Sequence, residues 1–88
     1  MKEEFNFEEL KKLYAENAVT SDDLIKYVPR EMPIDGDDCV FDLTMEDYEN
    51  NPQYVVTYTR PIDNWICMTF TAPTLSEVLY ETIKYAYE

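Results

Sequence analysis

Apolar residues recur at helical spacing near the start of the chain. Leu10 and Tyr14 lie one turn apart on a face that charged residues avoid, which predicts an amphipathic helix over about residues 7–17. Asn6 stands at the N-cap of that helix, and Phe5 and Leu10 occupy the two positions of a hydrophobic staple. Such a one-sided helix must pack against another part of the domain.

Two further segments carry helix signals. Thr20 opens a capping box before a short helix over about residues 21–28, which Pro29 ends. Thr74 opens another box before a longer helix over about residues 75–87, whose apolar residues share one face. Because the short helix would be marginal alone, we expect it to dock on the rest of the fold.

Three segments are typical of strands, through alternation of apolar and polar residues or through β-branched and aromatic content. They predict strands over about residues 38–45, 54–60 and 65–71. A tight turn at residues 61–64 joins the last two, so the three strands should form an antiparallel meander.

The segments between these elements are predicted to be loops. Residues 29–36 contain two prolines and a glycine, and residues 46–53 are polar. The element order is then ααβββα, which predicts an α+β fold with a three-stranded antiparallel meander packed with helices. A chain of 88 residues has the length of one small domain.

The last hairpin predicts which strand residues share a face. With Arg60 opposite Trp65, the residues Tyr54, Tyr58 and Trp65 fall on one side of the sheet. This aromatic face is either an interface, as in a homodimer or other small homo-oligomeric interaction domain, or it is covered by the first helix. The other side would carry Val55, Thr57, Thr59, Ile66, Met68 and Phe70.

The net charge and its distribution along the chain indicate which classes of partner the protein could bind. The chain holds 19 acidic and 7 basic residues, a net charge of −12, and between Arg30 and Arg60 there are eight acids and no base. Such a field repels phosphate backbones and anionic lipid, which argues against direct contact with nucleic acid or a membrane. A basic protein would be attracted. The plain alternative is that the acids only keep the chain soluble.

The residue types give little basis for catalysis or for a cofactor. There is no histidine and only one glycine, which excludes the familiar triads, the P-loop and the dinucleotide fingerprint. The stretch DGDD, Asp35 to Asp38, resembles a calcium loop, but Cys39 stands where the third alternate ligand is needed. Paired carboxylates need a cleft that so short a chain seldom forms. We therefore expect a protein that is not an enzyme and that holds no metal and no cofactor.

The two cysteines and the lack of targeting signals bear on location. Cys39 and Cys67 lie in apolar, strand-like runs, so two buried thiols in a reducing compartment are expected, with a disulfide as the alternative. The chain shows neither a leader-like segment nor an apolar run of membrane length. The sequence thus predicts a cytoplasmic protein.

The base-free run DGDDCVFDLTMEDYE is the candidate site for a partner. Asp38 and Asp42 fall on one side of the predicted strand, about 13 Å apart at about 3.3 Å per residue. Phosphates of nucleic acid are spaced more closely than these two carboxylates, so the flanking acids would have to complete any imitation of a phosphate backbone. Tyr48 could then make the stacking contact that a base makes in nucleic acid. The alternative is a solvated edge strand whose charges prevent aggregation. The predicted partner-binding residues are Asp35, Asp37, Asp38, Asp42, Glu46, Asp47, Tyr48 and Glu49.

One stretch carries a resemblance to known proteins. In FTAPTLSEVLYETI, Phe70 to Ile83, a strand runs into a T-x-x-E-x-L helix start, which resembles the tail of many small phage-encoded proteins and a junction in HicB-like antitoxins. Small size and acidity make the chain similar in character to phage anti-defence proteins, including anti-CRISPR and anti-restriction inhibitors. The resemblance implies a non-enzymatic inhibitor of a basic nucleic-acid-binding effector or nuclease in the host cytoplasm. It assigns no role to any individual residue.

Overall fold

The computed structural model describes residues 6–87, except for the side chain of Tyr48. The staple position predicted for Phe5 lies outside the described residues. The elements are α1 (Phe7–Ala15), α2 (Ser21–Ile25), β1 (Glu31–Ile34), β2 (Asp37–Tyr48), β3 (Asn51–Arg60), β4 (Trp65–Ala72) and α3 (Leu75–Tyr87).

The α+β fold is confirmed, but the sheet has four strands where the sequence predicted three. The strands pair antiparallel in the order β1-β2-β3-β4, so the element order is ααββββα. The additional strand β1 lies in the segment predicted to be a loop. Asp35 and Gly36 both have positive φ, 53° and 85°, and form a two-residue hairpin turn between Ile34 and Asp37. Pro33 is tolerated because β1 is an edge strand.

A second two-residue turn replaces the other predicted loop. Glu49 and Asn50 have φ of 50° and 69°, and Tyr48 pairs with Asn51 across them. Strands β2 and β3 therefore run to 12 and 10 residues. The polar residues that suggested a loop here are the exposed ends of a long hairpin.

Local capping sets the helix ends. Thr20 and Asp23 form the predicted capping box of α2. Helix α1 ends at Ala15 because Asn17 takes a left-handed conformation, with φ of 56°. The Asn17 amide donates to the Tyr14 carbonyl and the Ala18 amide to the Leu13 carbonyl, which is the Schellman pattern.

The helices cover one face of the sheet. Helix α3 packs on β3, β4 and α2, and Phe7 and Tyr14 of α1 contact the ring of Tyr80. Val56 and Tyr58 on β3 are fully buried beneath this layer. The core thus lies between the helices and the side of the sheet that carries Tyr58.

A bulge in β4 corrects the predicted faces. Arg60 pairs with Trp65 as predicted, but the register shifts so that Thr59 faces Ile66 while Tyr58 faces Met68. Cys67 is the extra residue, and a one-residue slip moves the following side chains to the other face. Met68 and Phe70 therefore lie on the covered side with Tyr58, not on the opposite side.

On the opposite side of the sheet, here called the open face, none of the helices in residues 6–87 packs. Val55 lies on it and, although buried, is outside the core cluster. Its other positions are mostly polar, and the strand register places on it Glu31, Pro33, Asp38, Val40, Asp42, Thr44, Glu46, Gln53, Thr57, Thr59, Ile66, Thr69 and Thr71.

Candidate functional site

The predicted acidic site is spread along the whole of strand β2. Asp35 and Glu49 sit in the turns at its two ends, and the 12 residues of the strand between them span about 36 Å at about 3.3 Å per residue. The eight predicted residues therefore do not form one cluster. They divide into groups with different surroundings.

Three of the predicted acids lie on the open face. Asp38, Asp42 and Glu46 alternate with apolar residues of β2 and are all exposed. Glu31 joins them, because it pairs with Val40 and so stands level with the midpoint between Asp38 and Asp42 on the neighbouring strand. We call these four residues the acidic row.

Glu31 changes the spacing of the charges. It divides the interval of about 13 Å between Asp38 and Asp42 into two steps of about 7 Å along the strand direction. Sequence reasoning missed Glu31 as a site residue because β1 was not predicted. The Asp35-Gly36 pair between alternating apolar residues is the signal that could have revealed that hairpin.

The open face around the acidic row favours a cationic, hydrogen-bonding partner. No lysine or arginine occupies an open-face position of the four strands. Threonines stand beside the acids, with Asp42 opposite Thr57 and Thr57 opposite Thr69. Because the row lies on paired strands, its carboxylates are held on a rigid support.

Asp37 has a different role from the acidic row. Its Oδ2 lies 3.2 Å from Nη1 of Arg60, whose Nε and Nη2 bind the two carboxylate oxygens of Asp63 at 3.0 and 2.6 Å. The hydrogen bond from Arg60, followed by the Trp65 amide, holds the pKa of Asp63 below its usual value. Arg60 thus ties the start of β2 to the β3–β4 turn and neutralises much of the local negative charge.

Asp47 and Glu49 are predicted site residues that lie outside the acidic row. Asp47 is exposed, and strand alternation directs it opposite to Glu46. Glu49 is exposed in the β2–β3 turn. The side chain of Tyr48, predicted to replace the contact of a base, lies outside what the structure describes.

The three residues of the alternative aromatic site, Tyr54, Tyr58 and Trp65, differ widely in solvent exposure. Tyr58 is 0% exposed and donates its hydroxyl hydrogen to the Pro29 carbonyl at 2.7 Å, and Tyr54 is half-buried. Trp65 is 65% exposed, and near it Ile62 and Ile66 are 88% and 55% exposed. The three predicted residues therefore do not form one surface, and Trp65 instead lies exposed where the β3–β4 turn ends.

Cys39 and Cys67 lie next to each other on the helix-covered side of the sheet. Both are free, and the Sγ of Cys39 lies 2.9 Å from the Sγ of Cys67, which the β4 bulge places there. Burial, followed by the neighbouring thiol, raises the pKa of Cys39 to about 11. Cys39 is therefore a neutral thiol at physiological pH and a poor nucleophile.

The described residues, 6–87, bear on metal binding and on membrane insertion. Within this range no three or more cysteine, aspartate or glutamate side chains are grouped so that they could hold a metal ion. None of the described helices has the length and apolar character needed to cross a membrane.

Comparison with protein-family models, with curated proteins and with solved structures gives no significant match to this chain. Function must therefore be argued from the residues and their placement alone.

Proposed function

We propose that this chain is a non-enzymatic protein-binding protein that engages a basic, nucleic-acid-handling protein through the acidic row. The observation that carries the proposal is the placement of Glu31, Asp38 and Asp42, all exposed, on a sheet face where the four strands place no lysine or arginine. A surface of one charge sign attracts a partner of the opposite sign and speeds its approach.

Imitation of nucleic acid by this surface is partial. Along the strand direction, Asp38, Glu31 and Asp42 follow one another at about 7 Å, which is a shorter spacing than the distance of about 13 Å between Asp38 and Asp42 on β2 alone. One DNA strand carries a charge about every 3.4 Å along its axis. The partner would therefore meet fewer charges than on nucleic acid. The threonine hydroxyls of the open face supply further hydrogen-bonding groups.

The inhibitory role extends the same proposal. An acidic protein that occupies the nucleic-acid cleft of an effector or nuclease blocks the substrate by competition. Small size, acidity and the resemblance in character to phage anti-defence proteins support this role and a site of action in the host cytoplasm. The partner in this proposal is a nuclease or another nucleic-acid-binding effector, and no cofactor takes part.

A capture experiment with matched charge variants tests the proposal. The variant Glu31→Gln, Asp38→Asn, Asp42→Asn removes three charges from the open face, and the control Glu8→Gln, Glu9→Gln, Glu16→Gln removes three exposed charges from α1 and its C-cap. Tagged wild type should capture a basic protein that added DNA or RNA displaces. The open-face variant should lose that protein and the control should retain it. Equal retention by both variants would refute the proposal.

A second candidate function is self-association through the exposed apolar side chains in and beside the β3–β4 turn, Ile62, Trp65 and Ile66. Their exposure of 88%, 65% and 55% is unusual for large apolar side chains on a small protein. Sedimentation at micromolar concentration tests this candidate, with Trp65→Ser as the variant. A concentration-dependent dimer that the substitution abolishes would support it, and a strict monomer would exclude it.

A further inference from the structure

The two edges of the sheet are built differently. Strand β1 has four residues, including Pro33 and a charged Glu31, which are features that prevent edge-to-edge pairing. Strand β4, at the other edge, has eight residues, WICMTFTA, with no proline and no charge. Its outward N–H and C=O groups offer a template for another strand.

A groove follows the regular part of the β4 edge. It encloses about 560 Å³ and is lined by Thr69 to Pro73 along one side and by Tyr14, Glu77 and Glu81 of the helices along the other. This stretch of β4 lies after the bulge at Cys67, where pairing with β3 is regular. The side chains of an extended peptide lying against the edge of β4 could therefore contact Tyr14, Glu77 and Glu81.

The helical wall of this groove is negatively charged. Glu77 and Glu81 are exposed one turn apart on α3, and neither takes part in the ion pairs that Arg60 makes with Asp37 and Asp63. Burial first, and then these two carboxylates, raise the pKa of Tyr14, which is consistent with their closeness to its hydroxyl. The ring of Tyr14 is held by parallel stacking on Tyr80 at 3.9 Å.

We propose that the β4 edge binds an extended peptide segment rich in lysine or arginine as a fifth strand. Its backbone pairs with β4 from Met68 to Ala72, and its basic side chains lie against Glu77 and Glu81. The stems of these side chains pack on Tyr14. Charge selects this occupant over a second copy of the chain, since each copy carries −12 and would bring its own carboxylates to the groove.

This site is separate from the acidic row, and it can fail while the proposed function holds. The test uses a capped hexapeptide of alternating lysine and threonine, with a glutamate-threonine peptide as the control. Amide shifts followed by NMR should concentrate at residues 68–72 and at α3, and the glutamate peptide should cause none. Shifts confined to residues 31–46 would show binding to the acidic row only and would overturn this proposal.

Charge variants test the contact with the helix. Glu77→Gln together with Glu81→Gln should raise the Kd of the lysine peptide about 3- to 10-fold at low salt, the range expected for two exposed pairs. Glu8→Gln together with Glu9→Gln, matched in charge on α1, should leave the Kd unchanged. An equal effect of the two double variants would show that only net charge matters and would overturn the proposal.

Backbone methylation tests the strand pairing. In a paired peptide, alternate N–H groups face β4, so N-methylation of one alternate set should abolish binding while methylation of the other set should not. Equal binding by the two methylated peptides would overturn edge pairing. A dimer that forms without peptide and protects the β4 amides from exchange would assign the edge to a second copy, and would likewise overturn the proposal.

Discussion

Replacing Tyr58 with Phe tests whether this residue belongs to the core or to a surface. Tyr58 is 0% exposed, its ring lies edge-on to Phe41 at 5.9 Å, and its hydroxyl donates to the Pro29 carbonyl at 2.7 Å. Pro29 lies in the connection from α2 to β1, so this bond joins the helical layer to the centre of the sheet. The Phe variant keeps the ring and removes only the bond.

The expected loss of stability in Tyr58→Phe comes from the Pro29 carbonyl, which is left without its hydrogen-bond donor. Leaving a buried acceptor without its partner costs about 1–2 kcal/mol, which is a large fraction of the roughly 5–15 kcal/mol that stabilises a small domain. In a domain of this size, such a loss lowers Tm by roughly 4–16 °C. Tyr58→Ala removes the ring as well and should cost about 3–5 kcal/mol, enough to endanger folding.

Urea unfolding followed by far-UV circular dichroism measures this loss. Tyr58→Phe should lower the midpoint and leave the slope unchanged, because the surface exposed on unfolding stays the same. The matched control is Tyr85→Phe, which removes a hydroxyl from a side chain that is 47% exposed and should change stability by less than about 0.5 kcal/mol. Equal stability of the two variants would contradict the buried role of the Tyr58 hydroxyl.

Three further predictions concern local features of the fold. Thr20→Ala removes the α2 cap and should lower the free energy of unfolding by about 1 kcal/mol, whereas Thr20→Ser should retain most of it. Gly36→Ala should cost about 1–2 kcal/mol in urea unfolding through backbone strain alone, since φ is 85° and no atom lies within 4 Å of the added Cβ; no loss would contradict the turn. Because burial raises the pKa of Cys39 from 9.0 to about 11, its neutral form contributes stability that is present below pH 9 and lost as pH rises through 11. Urea titrations across that interval should show a shallower fall for Cys39→Ala, and parallel falls would contradict the assignment.

Much of the fold follows from short-range signals. The capping residues Asn6 and Thr20 and the apolar face of α3 predict the helices because each acts within one or two turns. The residue pattern does not predict strand β1 because Pro33 favours a loop, although an edge strand tolerates proline. The adjoining Asp35-Gly36 turn was the stronger local signal.

Other features depend on contacts that no local pattern encodes. The bulge at Cys67 reverses the side on which Met68 and Phe70 lie, and the alternation of residue types in β4 does not reveal it. The grouping of Glu31 with Asp38 depends on the register of β1. Both the covered face and the acidic row are therefore consequences of strand pairing, which the residue pattern predicts only in part.

The most direct test of the proposed function is the affinity for a captured basic partner as a function of salt. For wild type, Kd should rise steeply from low salt to about 0.15 M, because salt screens the attraction between exposed charges. The open-face variant, with Glu31→Gln, Asp38→Asn and Asp42→Asn, should bind about tenfold more weakly at low salt and show a flatter response. Wild-type affinity and an unchanged salt slope in that variant would contradict the assignment of binding to the acidic row.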